Sequence, residues 1–205
     1  MATGDYVTLT SLKSTLNITD GSYDNDLQLA ITAASRAIDE LGGPGRRFYA
    51  DAGANVSRQF WPENSGYCII DDLNTFTSLN ANGVTWTNGT DFYLEPINAA
   101  VDGVPYTAIR AFSRPFIFTR AEVSPGGWTG YDGRITVVGS WGWATTPAPI
   151  QEAASILAAR LFKRAREAPF GIVGMGVDVQ SIRLGNSDPD VLALVSAYSR
   201  GLLIA

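Results

Sequence analysis

Thr145-Thr146-Pro147-Ala148-Pro149 marks the point at which the chain changes its period, from that of strands to that of helices. Beyond it Ile150, Ala153, Ala154, Leu157, Leu161 and Ala165 recur at three- and four-residue steps, which predicts a helix with one apolar face. Proline suits the first turn of such a helix, where a missing N–H costs nothing. Before it, from about Ser57 to Gly142, short runs of aromatic and β-branched residues are punctuated by Asn, Gly, Pro and Asp. Strands are predicted from Ser57 to Trp61, Tyr67 to Asp71, Phe76 to Leu79, Phe92 to Leu94, Thr107 to Ala111 and Arg134 to Val138. Asn82-Gly83, Asn88-Gly89 and Asp132-Gly133 offer the positive-φ residues that tight hairpins need.

Further upstream the helical period returns. A short helix is predicted near Ser11 to Leu16 and a longer one from about Tyr23 to Leu41, with Leu27, Ala30, Ile31, Ala34, Ile38 and Leu41 on one stripe. Ser22 or Asp24 is the expected cap of the longer helix, and Gly42-Gly43-Pro44 its stop. At the other end, Asp188-Pro189-Asp190 predicts a last short helix to about Arg200, capped by Asp188 and carrying Val191, Leu194, Val195 and Tyr198. Helix, sheet, helix is the order. Two terminal helical segments with unpaired apolar stripes should pack together. The expected fold is therefore α+β, a helical bundle of N- and C-terminal helices (residues 1–56 and 147–205) with an inserted β-rich lobe (residues 57–146).

Composition narrows the function. The chain of 205 residues is 45% hydrophobic, a globular proportion, and its net charge of −5 argues against a face built to neutralise DNA phosphates. It has no histidine, so the commonest general base and metal ligand is missing. Its one cysteine, Cys68, lies in the apolar run Tyr67-Cys68-Ile69-Ile70 and reads as a buried small hydrophobe. The start lacks a secretory signal and no stretch is long enough to span a bilayer, so folding in a cytosol and no membrane contact are expected.

The motifs that suggest chemistry are weak. Asp20-Gly21-Ser22-Tyr23-Asp24-Asn25-Asp26 resembles a calcium loop but has Asn25 at the glycine position and Ile31 at the glutamate position, so helix capping is the better reading. Gly171-Ile172-Val173-Gly174-Met175-Gly176 has the wrong order for a dinucleotide fingerprint. Asp71-Asp72 is an adjacent acidic pair, but neighbouring strand residues point to opposite faces, and a strand end with a turn is expected there. Trp61, Trp86, Trp128, Trp141 and Trp143, with tyrosines, could form a sugar-stacking platform, although core and interface packing is the commoner use. Arg160, Lys163, Arg164 and Arg166 crowd the end of the Ile150 helix, either as a solvated face complementing the helix dipole or as partners for acidic residues of a neighbouring subunit. No catalytic constellation, cofactor site or metal site is expected.

Several strings in order carry a likeness to a known family. They are Tyr6-Val7-Thr8 with Leu12-Lys13, Asp26-Leu27 through Ala33-Ala34-Ser35-Arg36-Ala37-Ile38, and Gly45-Arg46-Arg47-Phe48. Ile69-Ile70-Asp71-Asp72-Leu73, Val138-Gly139-Ser140-Trp141-Gly142-Trp143 with Pro147, and Asp188-Pro189-Asp190-Val191 follow. Taken together they resemble the head-to-tail adaptor (connector, head-completion) proteins of long-tailed bacteriophages, especially those of actinobacterial hosts. The resemblance implies a structural virion protein without enzymatic activity: a homo-oligomeric, dodecameric ring in the neck, assembled in the host cytoplasm. Its implied partners are the portal protein and a neck stopper or tail-terminator protein, with DNA passing through unbound. An acidic passage fits this, since a basic lumen would hold exiting DNA.

The expected subunit or portal interface comprises Arg160, Lys163, Arg164 and Arg166, then Phe170, Ile172 and Met175 of the Gly-rich stretch, then Val191, Leu194, Val195 and Tyr198. For the last four, completion of the subunit's own core is the competing reading. The alternative function is a carbohydrate- or receptor-binding β module of a virion, suggested by the aromatic, Asn- and Gly-rich middle.

Overall fold

The computed structural model describes residues 4–43, 46–81, 83–117, 133–167 and 189–199. In chain order the elements are α1 (Leu9–Leu16), α2 (Asp24–Leu41), β1 (Val56–Phe60), β2 (Tyr67–Ala81), β3 (Val84–Trp86), β4 (Phe92–Glu95), α3 (Ala99–Asp102), β5 (Tyr106–Ala111), β6 (Ile135–Trp141), α4 (Ala148–Glu167) and α5 (Pro189–Ser196). The described residues thus form a mixed α+β structure with five helices and a six-stranded antiparallel sheet. Two compact units result, one from Met1–Phe48 with Thr146–Ala205, the other from Tyr49–Thr145.

In the helical unit α2 packs on α4, α1 touches both, and α5 lies against α4 and α2. The predicted stripe of α2 is buried from Leu27 to Ile38, while Leu41 at its end is exposed. On α4 the buried line runs Ile150, Ala153, Ala154, Ala158 and Phe162, one position round the helix from the expected Leu157, Leu161 and Ala165; the first two are half-buried and Ala165 is exposed. Alanines at Ala30, Ala34, Ala153, Ala154 and Ala158 keep both buried faces small, which favours close helix packing.

Neither expected cap closes the start of α2. Its N-cap is Tyr23, with no side-chain cap bond. Asp24 instead pairs with Lys13 at 2.6 Å, tying α1 to α2, and Asp20 Oδ1 accepts from the Ser22 N–H. Tyr23 serves α4: its ring meets Phe162 edge-on, the Arg166 guanidinium lies 3.8 Å from the ring centroid, and Arg166 Nη2 donates to Tyr23 Oη at 3.0 Å. A buried polar knot holds the N-terminal segment. The Tyr6 hydroxyl donates to Asp39 and accepts from the Phe48 N–H, while Ser35 Oγ accepts from the Tyr6 N–H and donates to the Ile31 carbonyl. Burial pushes both the Tyr6 phenol and the Asp39 carboxyl up from their ordinary values.

The sheet unit has strand order β1-β6-β2-β5-β4, with β3 paired to the far end of β2. What the sequence offers as two strands, Tyr67 to Asp71 and Phe76 to Leu79, is one strand of 15 residues. Its burial alternates through Cys68 and Ile70, then Asp72 and Leu73 are buried in succession, and the inward positions become Leu79 and Ala81. Register shifts beside Leu73 and again between Phe76 and Ser78 account for the switch, since an extra residue flips the pleat. Cys68, Ile70, Leu79, Phe92, Ile109, Val137 and Trp141 meet in the resulting core. Residues 49–55 join this unit because the Trp143 N–H donates to the Tyr49 carbonyl and the Asp51 N–H to the Trp141 carbonyl.

Candidate interaction surfaces

The predicted interface residues divide sharply. Val191 and Val195 are buried within the helical unit, Leu194 is half-buried, and the Tyr198 ring meets Phe48 edge-on at 6.3 Å. Arg46 donates to the Tyr198 carbonyl. Burial of the two valines favours the competing reading, completion of the subunit's own core: a helix of eight residues needs tertiary cover, and α2 and α4 supply it. Of the basic group, Arg160 pairs with Asp190 at 3.2 Å and Arg166 with Tyr23, so both are engaged inside their own unit. Lys163 and Arg164 are exposed on the last turns of α4. Phe170, Ile172 and Met175 lie outside the described residues, as does the expected cap Asp188.

In the sheet unit the acidic pair sits in mid-strand, not at the expected strand end and turn. Asp71 faces outward to Arg58 at 2.6 Å, and Arg58 also bridges to Asp51 and lies 4.7 Å from the Trp141 ring centroid. Asp72 faces inward, where its Oδ2 accepts from Trp143 Nε1 at 3.1 Å. The two carboxylates do not converge on one point. Gly139 lies where any Cβ would collide with the Thr75 carbonyl and Leu73, and Gly142, at φ 88°, where one would strike the Tyr49 carbonyl. Trp141 Nε1 donates to the Val56 carbonyl. Every distinctive residue of Gly139-Ser140-Trp141-Gly142-Trp143 apart from Ser140 thus has a task in chain packing.

Trp86, Trp141 and Trp143 are core residues and take no part in a surface platform; Trp61 is the one exposed tryptophan among the described residues, and Trp128 lies outside them. A different aromatic group, whose members the sequence reading of tryptophans with tyrosines did not single out, stands on the outer face of the sheet. Arg110 of β5 is directly opposite Tyr67 of β2 on one side and Tyr93 of β4 on the other, so the three side chains form a row on one face. The signal lay in alternation: Tyr93 and Glu95, Arg110 and Phe112 are each two residues apart.

Burial pushes the Cys68 thiol up to about 12, with the Glu63 charge adding to it, so the thiolate nucleophile is suppressed. No group of three or more His, Cys, Asp or Glu among the described residues is placed to hold a metal ion, and no helix among them is long and apolar enough to cross a membrane. An open groove of about 400 Å³ beside α1 is lined by Leu9, Ile18 and the Lys13–Asp24 ion pair, whose charges already satisfy each other. No protein-family model matches the chain, and neither does any curated protein.

Proposed function

We propose that the chain is a structural subunit of a phage head-to-tail connector, an adaptor that forms a dodecameric ring on the portal and carries the next neck or tail component. Its finer architecture would be a helical bundle of both chain ends with the β-rich lobe inserted between them. The packing of α2 with α4 and α5 in one unit, and the continuous stretch Tyr49–Thr145 in the other, support that arrangement. The observation that carries the reading is the order of the resembling strings from Tyr6-Val7-Thr8 to Asp188-Pro189-Asp190-Val191 along the chain. A net charge of −5 suits a passage that DNA must leave freely. Lys163 and Arg164, exposed and cationic, are the members of the expected interface best placed to meet acidic residues of a neighbour.

Negative-stain electron microscopy tests the proposal. Purified protein should give annular particles, either alone or only when portal-bearing heads are present; stable globular dimers under both conditions contradict it. Linear duplex DNA should not be retained in a gel shift at low-micromolar protein and physiological salt. Tight, salt-sensitive retention would contradict the conduit role.

A further inference from the structure

The outer face of β2, β5 and β4 carries an exposed row of aromatic and cationic side chains. Tyr67, Arg110 and Tyr93 form the row set by strand register, and Phe112 stands against Tyr93 with ring centroids 5.4 Å apart at 64°. Tyr93 is 37% and Phe112 69% exposed. Arg110 is fixed from two sides: its guanidinium lies 5.4 Å from the Tyr67 ring centroid, and Nε and Nη2 both donate to the Glu95 carboxylate, the second at 3.4 Å. The Arg110 side chain nonetheless remains 58% exposed.

We infer that this face is a binding site for a neutral saccharide, and the inference does not rest on the ring reading. A pyranose presents an apolar C–H face and a rim of hydroxyls. Exposed rings stack on the first, and a guanidinium beside a carboxylate supplies planar donors and acceptors for the second. Mounting on strands holds those groups in place before a ligand arrives. Charge excludes nucleic acid, because Glu95 neutralises Arg110 and the whole chain is acidic. The small apolar area favours a small ligand over a second copy as the occupant. Tyr93 and Phe112 together offer roughly 160–265 Å², taking ~150–250 Å² for a whole aromatic side chain, against about 800 Å² per partner in a stable complex. One or two sugar rings match that size.

The test uses the full chain and three probes, cellohexaose, N-acetylchitohexaose and maltohexaose, followed by saturation-transfer and chemical-shift NMR. At least one should bind saturably, with shifts centred on Tyr67, Tyr93 and Phe112. Phe112→Ala, Tyr93→Ala and Arg110→Ala should each weaken binding by about tenfold while circular dichroism is unchanged, and Tyr93→Phe should retain it. Leu29→Ala, which trims an exposed apolar residue of α2, should have no effect. Absence of saturable binding with all three probes overturns the inference. So does binding that survives the Phe112 and Arg110 changes, or sedimentation as a dimer that Phe112→Ala dissociates.

Discussion

Replacing Val191 and Val195 together by alanine decides whether α5 belongs to its own subunit or is held out to a partner. Both side chains are almost fully buried and lie one turn apart on α5, facing α4 and α2. Each change removes two carbon groups at about 0.8 kcal/mol apiece, and residual cavity brings the loss to ~2 kcal/mol per site. Because the sites adjoin, the double loss is set at about 3–5 kcal/mol, a large part of the ~5–15 kcal/mol that holds a domain folded. At a urea dependence of ~1–3 kcal/mol per molar, the helical transition seen by far-UV circular dichroism should move down by ~1 M or more. Leu192→Ala, on the exposed side of the same helix, should move it by no more than the equivalent of ~0.5 kcal/mol. An unchanged midpoint in the double variant, with attachment to portal-bearing heads lost, would refute the packing argument and restore these valines to a docking role.

Gly139→Ala and Gly142→Ala should both destabilise the sheet unit by more than ~3 kcal/mol, read as loss of near-UV signal or insoluble expression; a soluble, cooperatively melting variant would contradict the close approaches at Thr75 and Tyr49. Tyr6→Phe removes both the donor to Asp39 and the acceptor of the Phe48 N–H, and should lower stability by about 2–3 kcal/mol in chemical denaturation. Asp91 provides a pH test. Its carboxylate accepts from the Thr87 N–H at 2.8 Å, from Ser113 and from Arg114, and these hold its pKa below the ordinary 3.8. A depressed folded pKa means that the contribution is complete above the unfolded value and fades as pH falls through the folded one. Asp91→Asn should therefore flatten the acid limb of the melting-temperature profile below about pH 4; an unaltered limb would contradict it.

The helices were legible because burial follows a period that the sequence displays: the stripe from Leu27 to Ile38 and the restart at Ile150 need only a count of three and four. The drift on α4 toward Ala158 and Phe162 was not legible, since Leu157 and Leu161 are equally apolar and only the packed partner chooses between the lines. β2 was split in two because its bulges break the alternation at Asp72 and Leu73, where an inward carboxylate makes a core strand look like a turn. β3 and α3, of 3 and 4 residues, are too short to carry a period at all. The row Tyr67, Arg110, Tyr93 escaped for a different reason. Its members are 17 and 43 residues apart along the chain, and pairing register alone brings them together.

The proposed ring can be read by native mass spectrometry of the full chain mixed with a phage portal ring. A connector subunit should load onto the portal as a closed ring, giving one dominant species in which the chain is present in twelve copies per portal and no partly filled ladder at excess chain. A chain that remains monomeric or dimeric beside an unoccupied portal ring would contradict the account.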